Sequence, residues 1–292
     1  MNRGRKTESP SQRVATVSVE LVSGLARDWP EHGGYDNLRG AVIYAVYAEL
    51  AAAYGLFAPR LEQVEPRMPE DVAHVLRFRI SLSSPMLALD PYLFGCVHET
   101  LSGYHLVNGE VVPSNGRRKA GVHFTPPELA DKVVARTVEP LLKALSPNAC
   151  VLDLRICDPS VGAGAFLLSL VRYLAPRVLL LGLASNLDEA KRLVAIHVAR
   201  GVDKCPFAVY AAKLALRLEC RADRMPADWL DDNIRVGDAL VGLDREQFIR
   251  FDWAKKREAQ PFLEKIYDDA IAAGAQLRAV RMAELSEQAR AV

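Results

Sequence analysis

The chain has 292 residues, of which 50% are hydrophobic and 25% charged, and a formal net charge of +1. This balance suits a globular protein with a substantial core and one or two domains. Its five cysteines have neither Cys-x-x-Cys pairs nor zinc-ligand spacing, and their odd number argues against a closed disulfide framework. The most apolar run, 178–184, is far too short to span a bilayer. We therefore expect a cytoplasmic protein with reduced cysteines, no metal site and no membrane contact.

The N-terminal part of the chain predicts a polar tail followed by helices. Residues 1–13 are polar and are predicted to be disordered. Residues 18–56 have helical periodicity, and residues 71–82 are apolar enough for another helix. The run Leu-Phe-Gly-Cys-Val-His-Glu-Thr-Leu at 93–101 indicates a buried helix with one charged residue. Residues 108–120 are predicted to form an exposed basic loop.

The segment Gly-Val-His-Phe-Thr-Pro-Pro-Glu at 121–128 leads into a helix predicted over 128–145. Thr125 and Glu128 have the spacing of a capping box, and Pro126 suits a first helical turn. A well-capped helix is a sufficient explanation of this segment by itself. The predicted apolar face consists of Leu129, Val133, Thr137, Val138 and Leu141.

The centre of the chain predicts a strand, a glycine-rich turn and a helix. Residues 151–156 are apolar and β-prone, and helical periodicity begins at Phe166. Between them, Gly162 and Gly164 allow the backbone to turn sharply and to approach a ligand closely. Amide groups at the start of the helix favour a ligand with a negative or carboxylate group. A dinucleotide-binding turn would need a third glycine at position 167, where the chain has leucine.

Two aspartates follow the next two predicted strands. Asp203 is expected at the end of the second strand, where a carboxylate can accept both hydroxyls of a ribose. The alternative is that Asp203 caps the following helix. Asp238 follows a third strand that ends at Val236, and its carboxylate can accept a hydrogen bond from an adenine amino group. Taken alone, Gly-Asp at this position predicts only a short turn.

Residues 245–292 predict helices with no recognisable chemistry, and a hairpin around Gly274 is one possible arrangement. Their predicted apolar face consists of Ile266, Ala270, Ile271 and Ala273.

In this order, the segments resemble the cofactor-binding motifs of N6-adenine DNA methyltransferases of the large, restriction-linked kind. The matching segments are Phe-Thr-Pro at 124–126, Asp-Pro-Ser-Val-Gly-Ala-Gly-Ala-Phe at 158–166, Gly-Val-Asp-Lys-Cys-Pro at 201–206 and Gly-Asp at 237–238. The run 93–101 is similar to the Leu-Gly-x-Val-Tyr-Glu-x-Leu helix that precedes the core of these enzymes, with His98 in place of tyrosine.

The resemblance implies S-adenosyl-L-methionine as cofactor, DNA as substrate, and a restriction-modification or phage-defence setting. The implied cofactor-binding residues are Phe124 and Thr125 for the methionine part, Asp158, Gly162, Gly164 and Phe166 for the loop, Asp203 for the ribose and Asp238 for the adenine amino group. The implied fold class is α/β: a helical N-terminal region over 14–120, the S-adenosylmethionine-binding half of a Rossmann-like methyltransferase sheet over 121–243, and a helical tail over 244–292.

The catalytic motif of this family is missing from the sequence. These enzymes carry Asn/Asp-Pro-Pro-Tyr/Phe, which binds the target amino group and stacks on the flipped base. The only Pro-Pro pair here, at 126–127, follows Thr125. We therefore expect no catalytic residue in this chain and a second polypeptide that carries the motif and the DNA-recognition domain.

Two other functions remain open. One is a non-catalytic cofactor-binding subunit of a DNA-modification complex, which the missing tetrapeptide favours. The other is an S-adenosylmethionine enzyme that acts on protein or small molecules. The position of Phe-Thr-Pro ahead of the glycine turn argues against this alternative.

Overall fold

The computed structural model describes residues 10–28, 34–53, 90–114, 125–146, 149–241, 246 and 261–292. This part of the chain is a mixed α/β structure, mostly helical, with eight α-helices and two small sheets. Its elements are α1 (Pro10–Asp28), α2 (Tyr35–Ala53), α3 (Leu93–Leu101), β1 (Tyr104–Val107), β2 (Glu110–Pro113), α4 (Pro127–Ala144), a 3₁₀ turn (Val151–Asp153), β3 (Ile156–Asp158), α5 (Ala165–Leu180), α6 (Leu187–His197), β4 (Ala199–Asp203), α7 (Pro206–Glu219), β5 (Ile234–Val236) and α8 (Pro261–Ala291). The expected cofactor residue Phe124, the predicted helix 71–82 and the basic residues 117–119 lie outside the described residues.

The N-terminal helices form a layer that reaches the rest of the fold through α7. α1 packs against α2 and α3, and both α2 and α3 contact α7. Apolar side chains that are essentially fully buried join the helices, among them Val22 on α1, Val42 on α2 and Phe94 on α3. The predicted helical stretch 18–56 is thus two helices, and residues 10–13 of the expected polar tail belong to α1.

A β-hairpin occupies part of the stretch that was predicted to be a loop. β1 pairs with β2 in antiparallel register, with Tyr104 opposite Pro113 and Val107 opposite Glu110. The two turn residues, Asn108 and Gly109, have φ angles of +50° and +81°. Two-residue hairpin turns need positive φ at both positions, which Asn-Gly supplies most readily. The loop prediction is therefore wrong for residues 110–113.

A capping box at Thr125 would start the helix at Pro126, but α4 begins one residue later, at Pro127. Pro126 is the N-cap residue, with φ −58° and ψ 140°, and no side chain caps the helix. The residue before a proline is pushed out of the helical region, so Pro126 cannot join a helix that Pro127 starts. The predicted hydrogen bonds between Thr125 and Glu128 are consequently not formed, and Thr125 is left outside the helix.

The buried face of α4 also differs from the predicted one. Its buried residues are Ala130, Val134 and Val138. Three of the residues assigned to the apolar face, Leu129, Val133 and Leu141, are exposed. The helix packs on α5 through its smaller side chains.

The first strand of the parallel sheet is shorter than the predicted strand 151–156. Val151–Asp153 instead forms a 3₁₀ turn, stabilised by a 2.9 Å hydrogen bond from the Cys150 amide to the Asp153 carboxylate. Pairing with the neighbouring segment begins only at Ile156, whose amide donates to the carbonyl of Val198 at 3.0 Å. The local hydrogen bond that Asp153 accepts from Cys150 therefore overrides the β propensity of the apolar run.

β3, β4 and β5 form a three-stranded parallel sheet in that order. Asp158 lies opposite Gly201, and Asp203 lies opposite Val236. The carboxyl ends of all three strands are therefore neighbours. α5 and α7 both pack against β4, and α5 also contacts α4 and α6. Unlike β3, the next two strands end where the sequence predicts, β4 at Asp203 and β5 at Val236, and α5 begins near the predicted Phe166.

The C-terminal helix α8 is continuous through Gly274, so the hairpin suggested there is not formed. It packs against α6, and its buried residues Leu285, Ser286 and Ala289 lie near its C-terminal end. Ile266 and Ile271 of the predicted apolar face are exposed.

Candidate functional site

A cavity of about 800 Å³ lies beyond the carboxyl ends of the three parallel strands. Crevices at this edge of parallel sheets are the usual ligand sites of α/β folds. Residues from the helical layer form part of its wall, and the remainder comes from the turns that follow β3, β4 and β5. Five of the expected cofactor residues line it: Thr125, Gly162, Phe166, Asp203 and Asp238.

The two glycines of the turn after β3 have different surroundings. Gly162 lines the cavity with φ +52°, and a Cβ atom built there would meet nothing within 4 Å. Gly164 is the N-cap residue of α5 with φ +87°, and its Cβ would lie 3.2 Å from Cβ of Ala212. Gly164 does not line the cavity. A larger residue at position 164 would crowd α7, whereas at position 162 only the positive φ of the turn favours glycine.

Asp158, the last residue of β3, has one satisfied and one unsatisfied carboxylate oxygen. Oδ1 accepts the Ser160 amide at 3.0 Å. Oδ2 is buried and has no hydrogen-bond partner within the described ranges. Burial raises the pKa of Asp158, the Ser160 amide opposes that rise, and the nearby carboxylate of Asp203 adds to it. A buried acceptor without a donor is costly in the free protein. Asp158 does not line the cavity, so the structure does not bring this predicted cofactor residue together with the other five.

Asp203 joins the end of β4 to the glycine turn. Its Oδ2 accepts the Gly162 amide at 2.9 Å, and its Oδ1 accepts the Cys205 amide at 2.8 Å. The carboxylate thus orders the backbone on both sides of the cavity. Each oxygen of a carboxylate can accept about two hydrogen bonds, so each retains capacity for a ligand. Asp203 therefore holds the backbone at Gly162 and Cys205 and also lies at the predicted ribose-binding position.

Asp238 follows β5 and is partly exposed at the cavity. Its Oδ1 accepts the Leu240 amide at 2.9 Å, and its Oδ2 forms an ion pair with Nζ of Lys204. The hydrogen bond from Lys204 holds the pKa of Asp238 below its ordinary value. Asp238 is therefore an ionised acceptor at neutral pH.

None of the cavity residues from the helical layer was among the predicted site residues, and Arg39 and His98 are two of them. The Arg39 guanidinium lies 4.1 Å from the Phe207 ring centroid and pairs with Asp36 at 3.2 Å, and only 12% of its side chain is exposed. His98 on α3 is 3% exposed. The motif-like run 93–101 marked the position of His98 without giving it a role. No local pattern marks Arg39, because α2 reaches the cavity only through tertiary packing.

Comparison with models of known protein families and with curated proteins found no match. Among the residues whose placement is described, no helix has the length and apolar character needed to cross a membrane. The same residues contain no cluster of three or more metal-ligating side chains. What the cavity binds must therefore be inferred from its own geometry.

Proposed function

We propose that this cavity binds S-adenosyl-L-methionine and that the chain is the cofactor-binding part of a cytoplasmic DNA adenine N6-methyltransferase. The observation that carries the proposal is convergence. Thr125, the glycine turn, Asp203 and Asp238 lie far apart in the sequence and on different elements, yet all line one cavity. Parallel topology explains why the glycine turn, Asp203 and Asp238 are close, but Thr125 comes from a separate segment before α4 and lines the same cavity.

The cavity has the size and the polar groups that this cofactor needs. About 800 Å³ is within the ~300–1,000 Å³ range of small-molecule sites. Asp203 would accept ribose hydroxyls and Asp238 the adenine amino group. Amides at the start of α5 favour a carboxylate.

The residues of this chain would act by positioning. Bound S-adenosylmethionine supplies an activated methyl group. Phe166 and Thr125 line the cavity and would fix the sulfonium end of the cofactor relative to the glycine turn. Holding a donor in one orientation accounts for much of the rate gain in such direct transfers, and no covalent intermediate with the protein is needed.

A second polypeptide would supply the target-base pocket, because the chain has no Asn/Asp-Pro-Pro-aromatic tetrapeptide. The sheet offers a place for it. In the described structure β3 and β5 each have a single neighbouring strand, so both are edge strands. Edge strands present unpaired backbone groups to which another strand can pair. We place this complex in a restriction-modification or phage-defence system, with DNA as substrate.

A non-catalytic accessory subunit is the second candidate function, and the same missing tetrapeptide favours it. Such a subunit would bind the cofactor without transferring its methyl group. Both functions require the same cavity, so cofactor binding alone does not separate them.

Calorimetric titration of the full chain with S-adenosylhomocysteine, the demethylated product, tests cofactor binding. We expect saturable binding and none of comparable strength for NAD. Circular dichroism on the same sample establishes that the protein is folded. The absence of heat at millimolar ligand with a folded protein would refute the proposal.

Incorporation of tritiated methyl groups into unmethylated genomic DNA separates enzyme from accessory subunit. The chain alone should give no incorporation, since its sequence lacks the tetrapeptide that binds the target amino group and stacks on the flipped base. Co-expression with a polypeptide that carries the tetrapeptide should restore it if the complex is an enzyme. No incorporation by a complex that binds the cofactor would favour the accessory function.

A further inference from the structure

His98 is a buried cavity residue with unused hydrogen-bonding capacity. It lies on α3, lines the cavity, and is 3% exposed. Its Nδ1 is buried and has no hydrogen-bond partner in the part of the chain that the structure describes. Buried polar side-chain atoms are usually paired, and an exception in a cavity wall calls for a reason.

The ring is neutral at physiological pH. Burial, and to a smaller extent the positive charge of Arg39, lower the pKa of His98 to about 4, although the Asp203 carboxylate opposes them. His98 and Asp203 both line the cavity. A neutral imidazole has one N–H donor and one acceptor nitrogen. It can therefore give a hydrogen bond to a hydroxyl group or accept one from it.

Asp203 cannot make every hydrogen bond that a ribose offers. Its two oxygens each accept one backbone amide, from Gly162 and from Cys205, and each can accept one more hydrogen bond, from a ribose hydroxyl. A carboxylate is an acceptor only, whereas the two adjacent hydroxyls of a ribose each donate and accept. Another group in the cavity is therefore needed to donate to a hydroxyl oxygen.

We propose that His98 is a second ribose-binding residue, which acts with Asp203 on the two adjacent hydroxyls of the nucleoside part of the ligand. This inference rests on the proposed function, because it assumes a ligand that contains adenosine. It assigns the helical layer a direct part in recognition: α3 supplies one ribose partner and β4 the other.

The experiment is calorimetry with three ligands: S-adenosylhomocysteine, its 2′-deoxy analogue and its 3′-deoxy analogue. Each is titrated into the wild-type chain, His98→Phe, His98→Gln and Thr100→Ala. Phenylalanine keeps the ring volume without the nitrogens, and glutamine keeps a donor and an acceptor. Thr100 lies on the same helix and does not line the cavity, so its variant is the matched control. Thermal unfolding of each variant reports any loss of fold.

His98→Phe should weaken binding of S-adenosylhomocysteine about tenfold, the effect of one hydrogen bond. It should leave unchanged the affinity for the deoxy analogue that lacks the hydroxyl bound by His98. His98→Gln should recover most of the loss, and Thr100→Ala should match the wild type. An equal loss for all three ligands, or no loss for any, would overturn the inference. Failure of the wild-type chain to bind any of the three would instead refute the proposed function on which it rests.

Discussion

Alanine substitutions at Gly162 and Gly164 should separate the ligand-binding role of the turn from its packing role. Both residues have positive φ, where alanine costs about 1 kcal/mol relative to glycine. At Gly162 a Cβ atom meets nothing within 4 Å, so the free energy of unfolding should fall by only that amount. At Gly164 the Cβ atom would lie 3.2 Å from Cβ and 3.3 Å from Cα of Ala212. Because a backbone atom cannot easily move away, overpacking adds about 1–3 kcal/mol.

The effects on binding should run in the opposite order. Gly162 lines the cavity, so an added methyl group occupies space that the ligand needs. We expect Gly162→Ala to weaken S-adenosylhomocysteine binding at least tenfold. Gly164 is absent from the cavity wall, so the folded fraction of Gly164→Ala should bind nearly as the wild type does.

Urea unfolding and calorimetry, both at 15 °C where the variants should remain folded, measure the two effects on the same preparations. Gly162→Ala should lose binding with little change in the urea midpoint, and Gly164→Ala should lose stability with little change in Kd. Equal destabilisation by the two variants would refute the reasoning about Ala212. Loss of binding by folded Gly164→Ala would show that the second glycine also contacts the ligand.

Three further expectations follow from the titratable residues Asp158, Asp203 and His98. Asp158→Asn should raise the stability of the free protein at pH 7, because burial raises the pKa of Asp158 and so makes its ionised form unfavourable above its ordinary pKa. Thermal unfolding checks this, and lower stability would contradict it. Asp203→Ala should lower the free energy of unfolding in urea by about 2 kcal/mol, since the Gly162 and Cys205 amides lose their acceptor. Its affinity for S-adenosylhomocysteine should fall about tenfold. Unchanged stability would show that these two hydrogen bonds contribute nothing. His98 has a pKa of about 4 in the folded protein and 6.5 in the unfolded chain. Its contribution to stability is therefore complete above pH 6.5 and is lost as the pH falls towards 4. Between pH 7 and pH 4.5 the unfolding midpoint of the wild type should drop more than that of His98→Phe, and parallel curves would argue against a buried neutral ring.

The parts of the site that the sequence predicts are those carried by a short local pattern. The short segment that ends in Asp203, followed by Pro206 and a helix, defines a strand end. The glycine turn likewise has one arrangement that joins β3 to α5. In both cases, parallel strands joined by helices bring the carboxyl ends together, so tertiary proximity follows from local structure.

The errors arise where local signals compete or where tertiary packing decides. Thr125 and Glu128 have capping-box spacing, but the restriction that Pro127 places on Pro126 prevents the helix from starting there. Asn108 and Gly109 carried a hairpin signal that was read as part of a loop. Arg39 lies more than 100 residues before the glycine turn, and only the packing of the helical layer on α7 brings it to the cavity.

The most direct test of the central claim is a crystal structure of the full chain with S-adenosylhomocysteine. The claim is that the cavity at the carboxyl ends of β3, β4 and β5 binds this ligand. Ligand density should fill that cavity, with ribose hydroxyl oxygens about 3 Å from the Asp203 carboxylate and the adenine amino group beside Asp238. Ligand bound at another place, or density in the cavity with the ribose turned away from Asp203, would contradict the claim.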